Sequence, residues 1–142
     1  MTRPDPPASR QERSLVVLLR IFGCTALTAL YAVVQPHSWM AATHEWLGLG
    51  ALPEGPIVSY LARSLSAFYA LLGGALLLFS TDLRRYRPAL VYVSTAVVFL
   101  GIALFFIDLN AGLPTSWTWW EGPFTVALGL VMGWLVRSVP RS

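Results

Sequence analysis

Residues 56–88, PIVSYLARSLSAFYALLGGALLLFSTDLRRYRP, decide the fold. From Ile57 to Phe79 the chain is apolar apart from Arg63 and a few hydroxyls, and the run exceeds the roughly 20 residues a helix needs to cross a bilayer. It gives way to Arg84, Arg85, Arg87 and Pro88, the composition of a short cytoplasmic turn. Ala89–Ile107 is apolar again, so the stretch opens a membrane hairpin.

Working outward, Leu15–Val34 precedes this hairpin and Phe124–Val136 follows it. The fourth run is short and must extend over Trp119–Pro123 and Arg137–Val139, or lie in a thinned bilayer. The expected spans are therefore 15–34, 57–79, 89–107 and 120–138, in one membrane domain over 15–139. Residues 1–14, MTRPDPPASRQERS, read as a mobile cytoplasmic tail. Composition agrees: 56% of the 142 residues are hydrophobic and 12% charged, against about 25% charged in soluble domains. Mean hydropathy is +0.61. The fold class is all-α, a polytopic bundle of four transmembrane helices.

Charge sets the orientation. Arg3, Arg10 and Arg13 lie before the first span, Arg84, Arg85 and Arg87 between the second and third, and Arg137 and Arg141 near the end of the chain. The other two connections carry no Arg or Lys and hold Glu45, Glu54, Asp108 and Glu121. Positive segments stay inside, so both termini are expected in the cytoplasm. The formal charge of +3 then reflects topology and contact with the lipid surface, and no nucleic-acid partner is expected. Trp39, Trp46, Trp117, Trp119 and Trp120 fall in the outer connections, at headgroup level. Trp39, Ala42, Trp46 and Leu49 share one helical face, which predicts a short interfacial helix in the first outer loop.

Pro53-Glu54-Gly55-Pro56 before the second span and Trp120-Glu121-Gly122-Pro123 before the fourth form a weak repeat. One reading is helix capping, because proline suits the first turn and a carboxylate suits the positive end of the macrodipole. The other is two related hairpins whose outer ends build one site. For packing, Ala62, Ser66, Ala70 and Gly74 form a small-residue face on the second span, and Thr125, Gly129 and Gly133 one on the fourth. These faces are expected to meet each other, or one of them to meet a partner protein.

The candidate chemistry is polar and lies toward the outer surface. Arg63 stands about 10 Å inside the second span and calls for a carboxylate, with Asp108 or Glu121 as the expected ion-pair partner. Together with His44 and Glu45 these residues make a candidate ligand-binding cluster. Arg63 is thus a structural strut or a group that recognises an anion or serves a proton-linked site. Arg20 sits near the cytoplasmic end and can snorkel.

His37 and His44 share the first outer loop, too shallow for haem. His44-Glu45 starts like a zinc-protease motif but lacks the second histidine. Only His44, Glu45 and Glu121 offer a set for another metal; no metal, cofactor or catalytic residue is expected. Cys24 is the single cysteine and reads as a packing residue rather than a lipidation site, since Phe22 and Arg20 spoil the lipoprotein pattern. Phosphate-binding glycine loops, nucleophile elbows and paired cysteines are lacking.

The unit from Leu61 through Gly73-Gly74 and Arg84-Arg85 to Leu104 resembles the central hairpin of DoxX-like small bacterial four-span proteins. The resemblance covers about a third of the chain and implies a bacterial inner-membrane bundle, often an accessory to another membrane system. It carries no catalytic residue onto this sequence. The first expectation for function is an accessory or structural subunit that docks on a membrane-protein partner or a second copy. The alternative is binding or transport of a small molecule, lipid or ion at the cluster around Arg63. An enzyme is disfavoured, and so is a pore, because the inner half of the spans is almost wholly apolar apart from residues such as Ser94 and Thr95.

Overall fold

The computed structural model describes residues 9–140, all of it helix and short connections with no strand among them. Six helices follow in order: α1 (Arg10–Leu27), α2 (Leu30–Val34), α3 (His37–Trp46), α4 (Pro56–Phe79), α5 (Arg87–Ala111) and α6 (Thr115–Val136). Three segments, 10–34, 56–79 and 87–111, are long and apolar enough to cross a membrane. The chain is thus a helical protein with the marks of a membrane protein. At 22 residues, α6 has about the same reach, 33 Å at 1.5 Å per residue. Its first nine residues, however, carry Trp117, Trp119, Trp120, Glu121 and Pro123.

Local signals explain most boundaries. Ser9 accepts from the Glu12 amide at 3.1 Å while its own amide donates to the Glu12 carboxylate at 2.6 Å. This capping box satisfies two orphan donors and starts α1 at Arg10. The expected tail over residues 1–14 is therefore helical from Arg10 onward, and residues 1–8, with Arg3, lie outside the described residues, as does Arg141.

Thr28 returns its hydroxyl to the Thr25 carbonyl at 2.6 Å, and the amides of Thr28, Ala29, Tyr31 and Ala32 all reach back three residues. This tightened turn divides the first span into α1 and α2. Pro36 then ends α2 and opens α3, the expected outer helix. Pro56 sits in the first turn of α4, after Gly55 at φ +142°. Gly112, at φ +68°, closes α5 in the left-handed conformation that glycine adopts without a Cβ penalty.

The two Glu-Gly-Pro elements prove unlike. Pro56 opens a helix, but Pro123 lies inside α6, which starts at Thr115 after Pro114. The capping account thus holds for the first proline only, and the fourth helix begins five residues ahead of its expected limit.

Packing also departs from the expected pairing of the second and fourth spans. The main contacts join α1 and α2 to α4, α5 to α6, and α1 to α6. A Cβ on Gly73 would lie 2.7 Å from the Gly23 carbonyl oxygen, so backbone meets backbone where α1 crosses α4. Gly74, the residue expected in that role, has open space around it. Along α5 and α6, Gly101 faces Val126, Phe105 faces Gly122, Val98 faces Gly129 and Ser94 faces Gly133. Gly129 and Gly133 therefore serve α5, not α4, and Thr125 is left facing elsewhere.

The buried apolar core gathers Leu15, Leu19, Leu76, Leu90, Met132 and Val136 near one end of the bundle, the end bearing the arginine turn. There Arg20 Nε reaches Ser80 Oγ at 3.5 Å, and Arg87 Nε donates to the Val139 carbonyl at 2.9 Å. Cys24, expected to be packed, is exposed on the outside of α1. Many large apolar side chains, among them Phe68, Leu71, Tyr92 and Phe99, also face outward, as suits a surface solvated by lipid.

Candidate functional site

The two helix pairs meet chiefly through α1 and α6, and between them the core leaves a cavity of about 200 Å³. Four helices wall it: Phe22 and Ala26 from α1, Leu72 and Leu76 from α4, Leu100 and Leu104 from α5, Leu128 and Met132 from α6. The only polar groups on its wall are Tyr69, Glu121 and Thr125. From Glu121 to Met132 the α6 wall rises about 16 Å, so the space is elongated, polar at one end and apolar along its length.

Glu121 owes its position to the residues beside it. Gly122 lets α6 come so near α5 that an added Cβ would meet Phe105 Cβ at 2.7 Å. Pro123 has no amide to bond the Trp119 carbonyl, which weakens the helical ladder at this turn. One helical turn earlier, Trp117 Nε1 donates to Glu121 Oε2 at 2.6 Å. That bond orients the carboxyl and engages one oxygen, and no hydrogen bond of Oε1 is formed among the described residues. Tyr69, on α4 across the cavity, lies within electrostatic reach of Glu121. The arrangement offers a hydrogen-bonding head over an apolar shaft.

The expected cluster around Arg63 is not assembled. Arg63 Nη1 donates to the Val33 carbonyl at 2.9 Å and Nη2 to the Gln35 carbonyl at 3.1 Å. The guanidinium thus caps the open end of α2, where helix carbonyls lack partners and the macrodipole favours a cation. The ion pair with Asp108 or Glu121 is replaced by these two carbonyls. Backbone acceptors satisfy the donors of this half-buried guanidinium and require no second charge.

His44 Nδ1 lies 2.8 Å from the Gly50 carbonyl and ties down the loop after α3, while Glu45 is exposed. Asp108 is 3% exposed and held between α5 and α6, and its Oδ2 has no partner. The α5–α6 register places it beside Thr118, itself buried. Glu121 alone of the five reaches the cavity, where Thr125 joins it. Among the described residues no three His, Cys, Asp or Glu side chains converge on a metal position.

Sequence reasoning missed Tyr69 and Trp117. The Trp117 bond was signalled by i,i+4 spacing to Glu121, which becomes visible only once α6 is extended back to Thr115. Tyr69 carries no such signal, since a tyrosine within an apolar run reads as core. Compared with protein families, curated proteins and solved structures, the chain matches none.

Proposed function

We propose that the chain is a four-span membrane protein that receives an amphipathic small molecule or single lipid chain from the bilayer into the cavity between its helix pairs. The observation that carries this reading is the cavity itself, apolar along its walls with Glu121, Tyr69 and Thr125 at one end. A cavity of 150 Å³ with apolar walls suffices for a benzene-sized guest, and about 200 Å³ suits a slender apolar body. The head group is one that donates a hydrogen bond to the Glu121 carboxyl, such as a hydroxyl, amide or amine. Both termini then lie in the cytoplasm and α3 lies on the outer face, as the distribution of arginine requires. With the DoxX-like hairpin, this supports placement in a bacterial inner membrane. A green fluorescent protein fused after the last residue is expected to fluoresce, whereas alkaline phosphatase at the same place is expected to stay inactive.

A second reading is supported by Gly74. Gly74 is open to the outside, with nothing within 4 Å of an added Cβ, which suits an accessory subunit that docks a helix of a membrane partner or second copy there.

Native mass spectrometry after gentle extraction separates the two. A retained small mass that is lost in Leu128→Trp, which fills the cavity, and reduced at least about tenfold in Glu121→Gln supports ligand binding, since a charged hydrogen bond contributes about 1.5–3 kcal/mol. A stoichiometric larger assembly with no small mass replaces it with the accessory reading.

A further inference from the structure

A second depression lies on the opposite side of the α5–α6 pair from the cavity. It is an open groove of about 640 Å³ between Val91, Ser94 and Phe99 on α5 and Leu130, Gly133 and Trp134 on α6. Arg87 and Arg137 line its end. Arg87 uses Nε on the Val139 carbonyl, and its terminal nitrogens make no other bond among the described residues. Arg137 is exposed at the close of α6, with no side-chain partner among the described residues.

The hydroxyls along the groove face their own helix. Ser94 and Thr95 both bond the Val91 carbonyl at 2.9 Å, so the lane presents little unsatisfied polarity to a guest. Gly133 keeps it open, because a Cβ there would fit at 3.5 Å from Ser94 Oγ while any longer side chain would extend into the lane. From Arg87 to Phe99 the α5 wall rises about 18 Å, and one leaflet of hydrocarbon is about 15 Å deep.

We propose that this groove binds one anionic phospholipid, its phosphate between Arg87 and Arg137 and one acyl chain laid along Gly133 toward Phe99. Charge complementarity selects the occupant. A protein helix would meet two unneutralised guanidinium groups at the groove's end, whereas a phosphodiester accepts their hydrogen bonds and balances their charge. Basic pockets between membrane helices on the cytoplasmic side bind acidic headgroups by the same chemistry.

The test uses the full chain in mixed vesicles of phosphatidylglycerol and phosphatidylcholine, followed by native mass spectrometry of retained lipid. One phosphatidylglycerol per chain is expected, preferred about 25-fold over phosphatidylcholine, since each of the two arginines favours anionic lipid by about fivefold. Arg137→Gln is expected to lower that preference about fivefold. Gly133→Leu is expected to lower retention of both lipids with helix content unchanged. Equal retention of the two lipids by the unaltered chain overturns the proposal, as does undiminished phosphatidylglycerol preference in Arg137→Gln. If Gly133→Leu fails to fold, Arg137→Gln still decides.

Discussion

Gly101→Ala is expected to cost about 2–3 kcal/mol and to open the α5–α6 pair. Its added methyl would stand 2.6 Å from the Val126 amide nitrogen and 2.8 Å from the Gly122 carbonyl oxygen. Both are backbone atoms, so relief requires the two helices to separate, and overpacking of this kind typically costs 1–3 kcal/mol. Lipid offers no hydrophobic force to draw them together again, since the tails are as apolar as the side chains they replace. The result is read from thermal unfolding in detergent, with near-ultraviolet dichroism following the tryptophans of α6. Gly74→Ala is the matched control, because its methyl enters open space, and a change within about 0.5 kcal/mol is expected there. Equal losses at the two positions would overturn the register that places Glu121 in the cavity.

That register was only partly legible in the sequence. Apolar length marks three of the segments, because a bilayer imposes a length rule that acts residue by residue. Small residues advertise close contact, but their spacing does not name the partner. Ala62, Ser66, Ala70 and Gly74 form a regular face, yet only Ala70 on it is buried, Gly74 is open, and α4 meets α1 most closely through Gly73 on Gly23. In a bundle, one face on each helix must be left for lipid, and the sequence pattern of that face is nearly the same. The start of α6 was obscured for another reason. A cluster of tryptophans with a proline resembles a loop, and the helix there is held by Gly122 packing on Phe105 and Trp117 bonding Glu121.

The candidate site was legible to a similar degree. Glu121 and Arg63 stood out as polar groups that interrupt an apolar pattern, and each makes a specific hydrogen bond that accounts for its place. Their association was not legible, because electrostatic reasoning seeks a counter-ion and overlooks backbone. A five-residue helix that ends at a proline leaves carbonyls without amides, and these acceptors are invisible in a count of charges. The Ser9–Glu12 capping box, in contrast, was written in the S-x-x-E spacing and obscured by the polar composition around it.

Arg63→Ala is accordingly expected to destabilise the chain by about 2–4 kcal/mol while leaving retention of a cavity guest unchanged. The substitution strands the Val33 and Gln35 carbonyls, and each lost hydrogen bond to a charged donor is worth about 1.5–3 kcal/mol, less where water reaches the pair. The elbow between α2 and α3 should loosen first, exposing the Gln35-Pro36-His37 backbone to limited proteolysis. Arg63→Lys is expected to recover about half the loss, because a single ammonium lacks the planar fork that reaches two carbonyls together. Glu121→Gln should show the converse, unchanged proteolysis at the elbow with weakened retention of the guest. The two variants thereby separate a residue that holds the α2–α3 connection in place from one that meets a ligand. Full stability in Arg63→Ala would remove the strut role, and loss of the cavity guest in that variant would reunite Arg63 with Glu121 in one site.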